Sequence, residues 1–315
     1  MCHLVIPVLI MYGKQARDFL LQAPTKSTYI NRTYRIEEKL GSGGNCKVYK
    51  AWHNRLRKFV ALKIAENCST EAIAWHRNEV EALKNIKSTY LPYALDFLVC
   101  DNQSFTILEY VEGVSFDKLL RYGHIFTEAQ VLKWYRQLAC ALQVIHAHDV
   151  CHRDIKPANI VLTANEDICL IDFNSARVIS NNTGMASSST GYASPEQHDY
   201  FMRCKSGNYV ATSQQLCSHY DETMLLVSDC VGPDVDWKLS DIYSLGATIF
   251  HLLIGERPPT REKDIAHIPK LKGFCKDLLV IIERSMRFVP SQRFVSATEL
   301  YDALSGVPEV GCWNS

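Results

Sequence analysis

One stretch limits the fold more than any other: residues 240–258, SDIYSLGATIFHLLIGERP, apolar on nearly all sides. A helix without a polar face cannot lie on a surface, so this one is predicted to run through the middle of a helical body. Ser240 is its expected N-cap, and Gly255 ahead of Pro258 marks its end. A second long helix is predicted from TEAQVLKWYRQLACALQVIHAHD. There Thr127 and Gln130 have capping-box spacing, and Leu132, Tyr135, Leu138, Leu142 and Ile145 form an apolar stripe. CKDLLVIIERSM and SATELYDAL read as closing helices.

The first third has a different period. YRIEEKL, KVYKAWH and FVALKIA read as strands, with the glycine-rich GSGGN between the first two. In the last of them Val60, Leu62 and Ile64 alternate with Ala61 and Lys63, so a lysine shares a face with a small residue and leaves room for a ligand. A helix is predicted from about 70 to 86, with Glu79, Leu83 and Ile86 on one face. A carboxylate in an apolar stripe calls for a cation. Strands around LPYALDFLVC and SFTILEYV follow, and Gly113 marks the change to helices. A ligand cleft is expected between the strand-rich and helical parts.

Composition narrows the function classes. Lys plus Arg and Asp plus Glu are 34 each, so no global field draws the chain to nucleic acid or an anionic membrane. The 12 cysteines are scattered, without CxxC spacing or a histidine ligand pattern; reduced thiols are expected, with no metal assigned to them. The opening LVIPVLIMY is too short to span a bilayer and lacks the features of a secretory leader, so no integral membrane segment and a cytoplasmic location are expected.

Three features carry chemistry. In LGSGGNCKVYKA glycines allow backbone N–H groups to approach phosphate oxygens. Lys63, one strand later, and Glu79, on the next helix, suit a lysine that holds phosphate oxygens while a carboxylate orients it. HRDIKPANI, residues 152–160, sets Asp154, Lys156 and Asn159 within one turn.

Gly41, Gly43 and Val48, then VALK, Glu79, HRDIKPAN, DFN and SPE occur in the order of the protein kinase motifs. Over about residues 33–306 the chain resembles a complete kinase domain, and DIKPANI, GYASPEQ and SDIYSLGATIFHLLIGERP are most similar to the eukaryotic-like serine/threonine kinases of bacteria. The resemblance implies an α+β, two-lobed fold: a small antiparallel-sheet N-lobe with one key helix (33–111) and a larger, mostly helical C-lobe (112–306). Residues 1–32 and 307–315 are then an extension and a tail.

The resemblance also assigns roles. Asp154 accepts or orients the substrate hydroxyl proton, Lys156 reaches the transferred phosphoryl, and Lys63 with Glu79 holds ATP. Asn159 and Asp172 bind Mg²⁺, with Mn²⁺ as an alternative; two oxygen ligands from different segments suit that ion. The phosphate loop is Leu40, Gly41, Ser42, Gly43 and Gly44. Leu40, Val48, Ala61 and Val161 sandwich adenine, Leu108 lies behind it, and the backbone of Glu109 and Val111 bonds it. Glu196 is expected to pair with Arg293. Lys156 and a hydroxyl near Ser189 or Thr190 indicate serine/threonine protein substrates. Arg153 is a candidate receiver for a phosphate on Thr183, Ser187, Ser188, Ser189 or Thr190.

Two positions depart from the pattern: Cys46 replaces the third loop glycine, and Asn174 the glycine after Asp172-Phe173. Asn is the next most tolerant residue for a left-handed backbone. These substitutions prompt one alternative, a pseudokinase scaffold; a small-molecule phosphotransferase of the same fold is another. Retention of Lys63, Glu79, Asp154, Asn159 and Asp172 argues against the first, and Lys156, Glu196 and Arg293 against the second. Residues 198–238 are longer than the family pattern and read as an insertion, by default a mobile surface loop, with partner docking through TMLLV as the sharper reading.

Overall fold

The computed structural model describes residues 29–30, 33–43, 46–66, 68–100, 103–178, 184–205, 222–227 and 235–308. They fall into two units, one of described residues up to 73 with 95–110, the other of 74–94 and 111 onward.

The first unit is a sheet. Its strands are β1 (Tyr29–Ile30), β2 (Tyr34–Gly43), β3 (Cys46–His53), β4 (Lys58–Ala65), β5 (Ala94–Cys100) and β6 (Gln103–Glu109), in the order β1-β2-β3-β4-β6-β5. The predicted alternation in β4 sets its faces. Val60, Leu62 and Ile64 join Tyr34, Ala51, Phe105 and Ile107 in a core on one face. Ala61 and Lys63 therefore point to the other.

α1 (Thr70–Leu83) starts where predicted and stops one turn earlier than expected, and Glu79, Leu83 and Ile86 are buried as its period required. In the second unit, β7 (Val114–Ser115) leads into α2 (Phe116–Arg121) and α3 (Glu128–Ala147). The Thr127–Gln130 capping box is present, and the whole predicted stripe of α3 is buried. Gly113 is required by close approach: a Cβ there would lie 2.2 Å from the Leu162 carbonyl oxygen.

Short strands follow: β8 (Val150–Cys151), β9 (Ile160–Leu162), β10 (Ile168–Leu170) and β11 (Arg177–Val178). β9 pairs with β7 and β10, and β8 with β11. These pairings fix both ends of the loop 152–159. Next come β12 (Gly184–Ser189), α4 (Pro195–Lys205), β13 (Glu222–Val227) and α5 (Trp237–Ile254). The second unit closes with α6 (Glu262–Ile265), α7 (Lys276–Ser285) and α8 (Ala297–Ser305).

α5 is the central helix foreseen, packed against α3 and α7 and capped by Gly255 at φ 79°. Its N-cap corrects the reading: Asp236, not Ser240, accepts from the amides of Lys238 and Leu239. Ser240 is buried inside the helix, where its hydroxyl donates to Gln197. Within residues 198–238, β13 pairs antiparallel with β12 along all six residues. Among the described residues no cysteine is in a disulfide, and no helix is long and apolar enough to cross a membrane.

Candidate active site

The loop 152–159 hangs from one carboxylate. Asp241, fully buried in α5, accepts the amide of His152 at 2.8 Å on Oδ2 and that of Arg153 at 2.7 Å on Oδ1. His146 Nε2 lies 3.0 Å from the same Oδ2. An ionised carboxylate with both oxygens engaged by backbone amides is a strong, geometrically specific anchor. His152 continues it: its Nδ1 accepts the Asp154 amide at 3.3 Å and its Nε2 lies 3.1 Å from the Ile171 carbonyl oxygen. The neutral Nε2–H tautomer satisfies both contacts. Burial pushes the His152 pKa down, which keeps that tautomer.

Asp154 is the hub of a polar cluster. Its Oδ2 accepts Asn159 Nδ2 at 2.8 Å and lies 2.9 Å from Lys156 Nζ. Its Oδ1 accepts the Ser189 hydroxyl at 2.7 Å, and Lys156 reaches that hydroxyl at 3.3 Å. Asn159 also donates to the Asp154 carbonyl at 2.9 Å. With Nδ2 donating twice, the side-chain oxygen of Asn159 remains as an acceptor. The Ile171 amide donates to the Asn159 carbonyl at 2.8 Å, bringing Asp172 alongside. An amide oxygen and a carboxylate so placed are hard donors that fit Mg²⁺ chemistry.

Asp172, not Asn174, takes the left-handed conformation, at φ 68° and ψ 75°. Asn174 lies inside the short 3-10 turn Phe173–Ser175, so its expected role as a left-handed residue is corrected. Glu79, 1% exposed, accepts the Phe173 amide at 3.1 Å, tying α1 to the segment that carries Asp172. Asn78 adds a bond of 2.6 Å to the Ala176 carbonyl.

In the first unit Gly41 is opposite Val48, Val48 opposite Lys63, and Ala61 opposite Leu108. Directly paired residues share a face, so Val48, Ala61, Lys63 and Leu108 lie together on the face away from the core. Leu40 is exposed, Ser42 and Gly43 complete the turn-side end of β2, and Glu109 ends β6. Gly44 lies outside the described residues. Val111 and Val161 belong to the second unit, where Val161 is buried on β9.

The expected Glu196–Arg293 pair is present and two-pronged, at 2.6 and 2.8 Å, with Arg293 1% exposed. Arg153, the candidate receiver for a loop phosphate, directly precedes Asp154. Its side chain is buried, with Cζ 4.1 Å from the centroid of the Trp237 ring. Burial lowers its pKa to about 10. Of the hydroxyls expected to carry phosphate, Thr183 lies outside the described residues, Ser188 bonds His198 at 3.2 Å, and Ser189 is held by Asp154.

Two positioning residues escaped the sequence reading. Gln197 donates to the Arg153 carbonyl at 2.7 Å and accepts from Ser240 at 3.0 Å. Asp241 had a signal, a carboxylate inside the most apolar helix of the chain, but its donors are backbone amides that sequence does not label.

A family model of the protein kinase domain matches residues 34–210. The chain belongs to the protein kinase domain family. It is 28% identical over 299 residues to the serine/threonine-protein kinase PknA of Corynebacterium glutamicum, covering 88% of this chain and 57% of the relative. It is 27% identical over 285 residues to the serine/threonine-protein kinase PknD of Mycobacterium tuberculosis, covering 86% and 40%. A Saccharomyces cerevisiae protein named "Probable serine/threonine-protein kinase FMP48" is 30% identical over 268 residues, covering 80% and 67%. The chain spans about a third to a half of the length of the first curated relatives it matches.

Proposed function

We propose that this chain transfers the γ-phosphoryl group of ATP to serine or threonine hydroxyls of proteins. The observation that carries the reading is the Asp154 cluster. One carboxylate oxygen is pinned by Asn159 and Lys156, which leaves the other directed at a hydroxyl, here that of Ser189 at 2.7 Å. A substrate hydroxyl that engages Oδ1 is oriented for attack and has an acceptor for its proton. Lys156, 2.9 Å from the same carboxylate, places a positive charge where phosphoryl oxygens would gather.

Lys63 and Glu79, the glycine-rich turn and the face bearing Val48, Ala61 and Leu108 are assigned to ATP; Glu109, Val111 and Val161 complete the adenine contacts. Asn159 and Asp172 would hold Mg²⁺ or Mn²⁺, which supplies charge neutralisation at the phosphates. The proposed boundaries are an N-lobe over 33–111 and a C-lobe over 112–306, in a cytoplasmic protein. The relatives' names and the Lys156–Ser189 contact favour serine/threonine protein substrates over a small-molecule acceptor.

Phosphoamino-acid analysis tests this. Purified protein is incubated with γ-labelled ATP, Mg²⁺ and a generic protein substrate, beside a panel of small-molecule alcohols. Label on phosphoserine or phosphothreonine is expected; label on small molecules alone would refute the reading.

A further inference from the structure

Residues 198–238 include two features that bear on the surroundings of Asp154: one meets the segment running toward it, the other meets Arg153. The first is β13, whose backbone pairs with β12 from Gly184 opposite Val227 to Ser189 opposite Glu222. The paired stretch ends at the residue whose hydroxyl sits on the Asp154 carboxylate. The second is Trp237, 6% exposed, whose ring lies under the Arg153 guanidinium and is met edge-on by Tyr200 at 5.3 Å. Arg153 directly precedes Asp154, is 2% exposed and has its carbonyl held by Gln197.

A phosphate added to the segment before Asp154's partner Ser189 would stabilise it by offering charge to a guanidinium. Here the Arg153 guanidinium is buried against an indole, and residues 184–189 already have a backbone partner along their length.

We propose that β13 and Trp237 form a built-in strap: together they hold residues 184–189 and Arg153 in the ordered arrangement, so transfer needs no phosphate on Thr183, Ser187, Ser188 or Thr190. A strand supplies main-chain hydrogen bonds, and a buried cation–π contact fixes Arg153. Both act continuously, whereas a phosphate acts on demand. The strap thereby makes β13 and Trp237 the elements that set order at Asp154. This inference rests on the kinase reading for its activity arm and on strand pairing alone for its structural arm.

The test combines amide hydrogen exchange with transfer assays on the full chain. Wild type is compared before and after phosphatase treatment, its phosphate content read by intact mass. Met224→Pro and Leu225→Pro are made separately. Adjacent strand residues direct their amides to opposite sides, so one of the two removes a bond to β12 while the other controls for proline itself. Thermal melting verifies that each variant remains folded.

The strap predicts that phosphatase-treated wild type keeps its activity. It also predicts that the bond-breaking variant exchanges the 184–189 amides about tenfold faster or more, with transfer falling alongside. Unchanged exchange at 184–189 in both variants would overturn the strap. So would activity lost on phosphatase treatment, or activity gained when β13 is broken, either of which leaves the kinase reading intact. Faster exchange in the variant with no transfer from any sample would keep the strap and sink the kinase reading.

Discussion

Replacing Asp241 by asparagine tests the anchor of the loop 152–159 with almost no change of shape. The carboxylate accepts the amides of His152 and Arg153, one on each oxygen, from a fully buried position. Asparagine offers one oxygen, so one of those amides must face an NH₂ group, donor against donor. A buried donor left without its acceptor costs about 1–3 kcal/mol, and the surviving bond also loses its charge assistance. The sum is about 3–5 kcal/mol, the range for removing one member of a buried charged set. For a body of this size that is a fall in Tm of about 6–20 °C. Misplaced amides at 152 and 153 also displace Asp154, and a shift of about 1 Å there lowers kcat on the order of a hundredfold. Calorimetry and steady-state transfer read the two effects. A variant with wild-type Tm and kcat would refute the anchor.

Other perturbations follow from the same contacts. Glu196→Gln replaces the charged two-oxygen partner of the buried Arg293 guanidinium with a neutral one that has a single acceptor oxygen, beside the main-chain acceptors at Leu239, Arg287 and Phe288, which predicts a loss of about 3 kcal/mol by urea titration. Gly246→Ala sets a Cβ 2.6 Å from that of Ser285, whose hydroxyl is bonded to Tyr135 at 2.7 Å, so α5 and α7 must part at a cost of about 1–3 kcal/mol in Tm measurements. Burial lowers the pKa of His152 and of His251, so the folded state binds fewer protons than the unfolded chain. That part of the stability is fully present above the unfolded value of ~6.5 and is lost as pH falls below it toward the folded values. Melting temperatures across that window should decline toward acid, and the decline should shrink in His152→Gln.

The most legible parts of the chain were those in which the chemistry is local. Asp154, Lys156 and Asn159 are separated by a few residues, and one short turn brings their side chains together whatever surrounds them. The alternation around Lys63 and the stripe of α3 were legible for a related reason, since burial imposes a period on adjacent residues. The start of α5 was misread because both Asp236 and Ser240 are good caps. Ser240 is drawn inside the helix by hydrogen bonds to Ser194 and Gln197, partners that proximity in sequence does not reveal. Left-handed geometry at Asp172 instead of Asn174 was hidden because residue preference favours asparagine, while backbone bonds on both sides of Asp172 decide the position. The pairing of β13 with β12 had no local signal at all: TMLLV reads equally as a docking segment, and only the ladder identifies its partner.

The central claim is that Asp154 serves the transfer step itself, and Asp154→Asn tests it most directly. Asparagine keeps the size of the side chain but offers a hydroxyl no carboxylate oxygen to accept its proton. With ATP affinity measured alongside by calorimetry, the account predicts nucleotide binding close to wild type and label transfer to serine or threonine reduced on the order of a hundredfold or more. Transfer at the wild-type rate in the folded variant would contradict it.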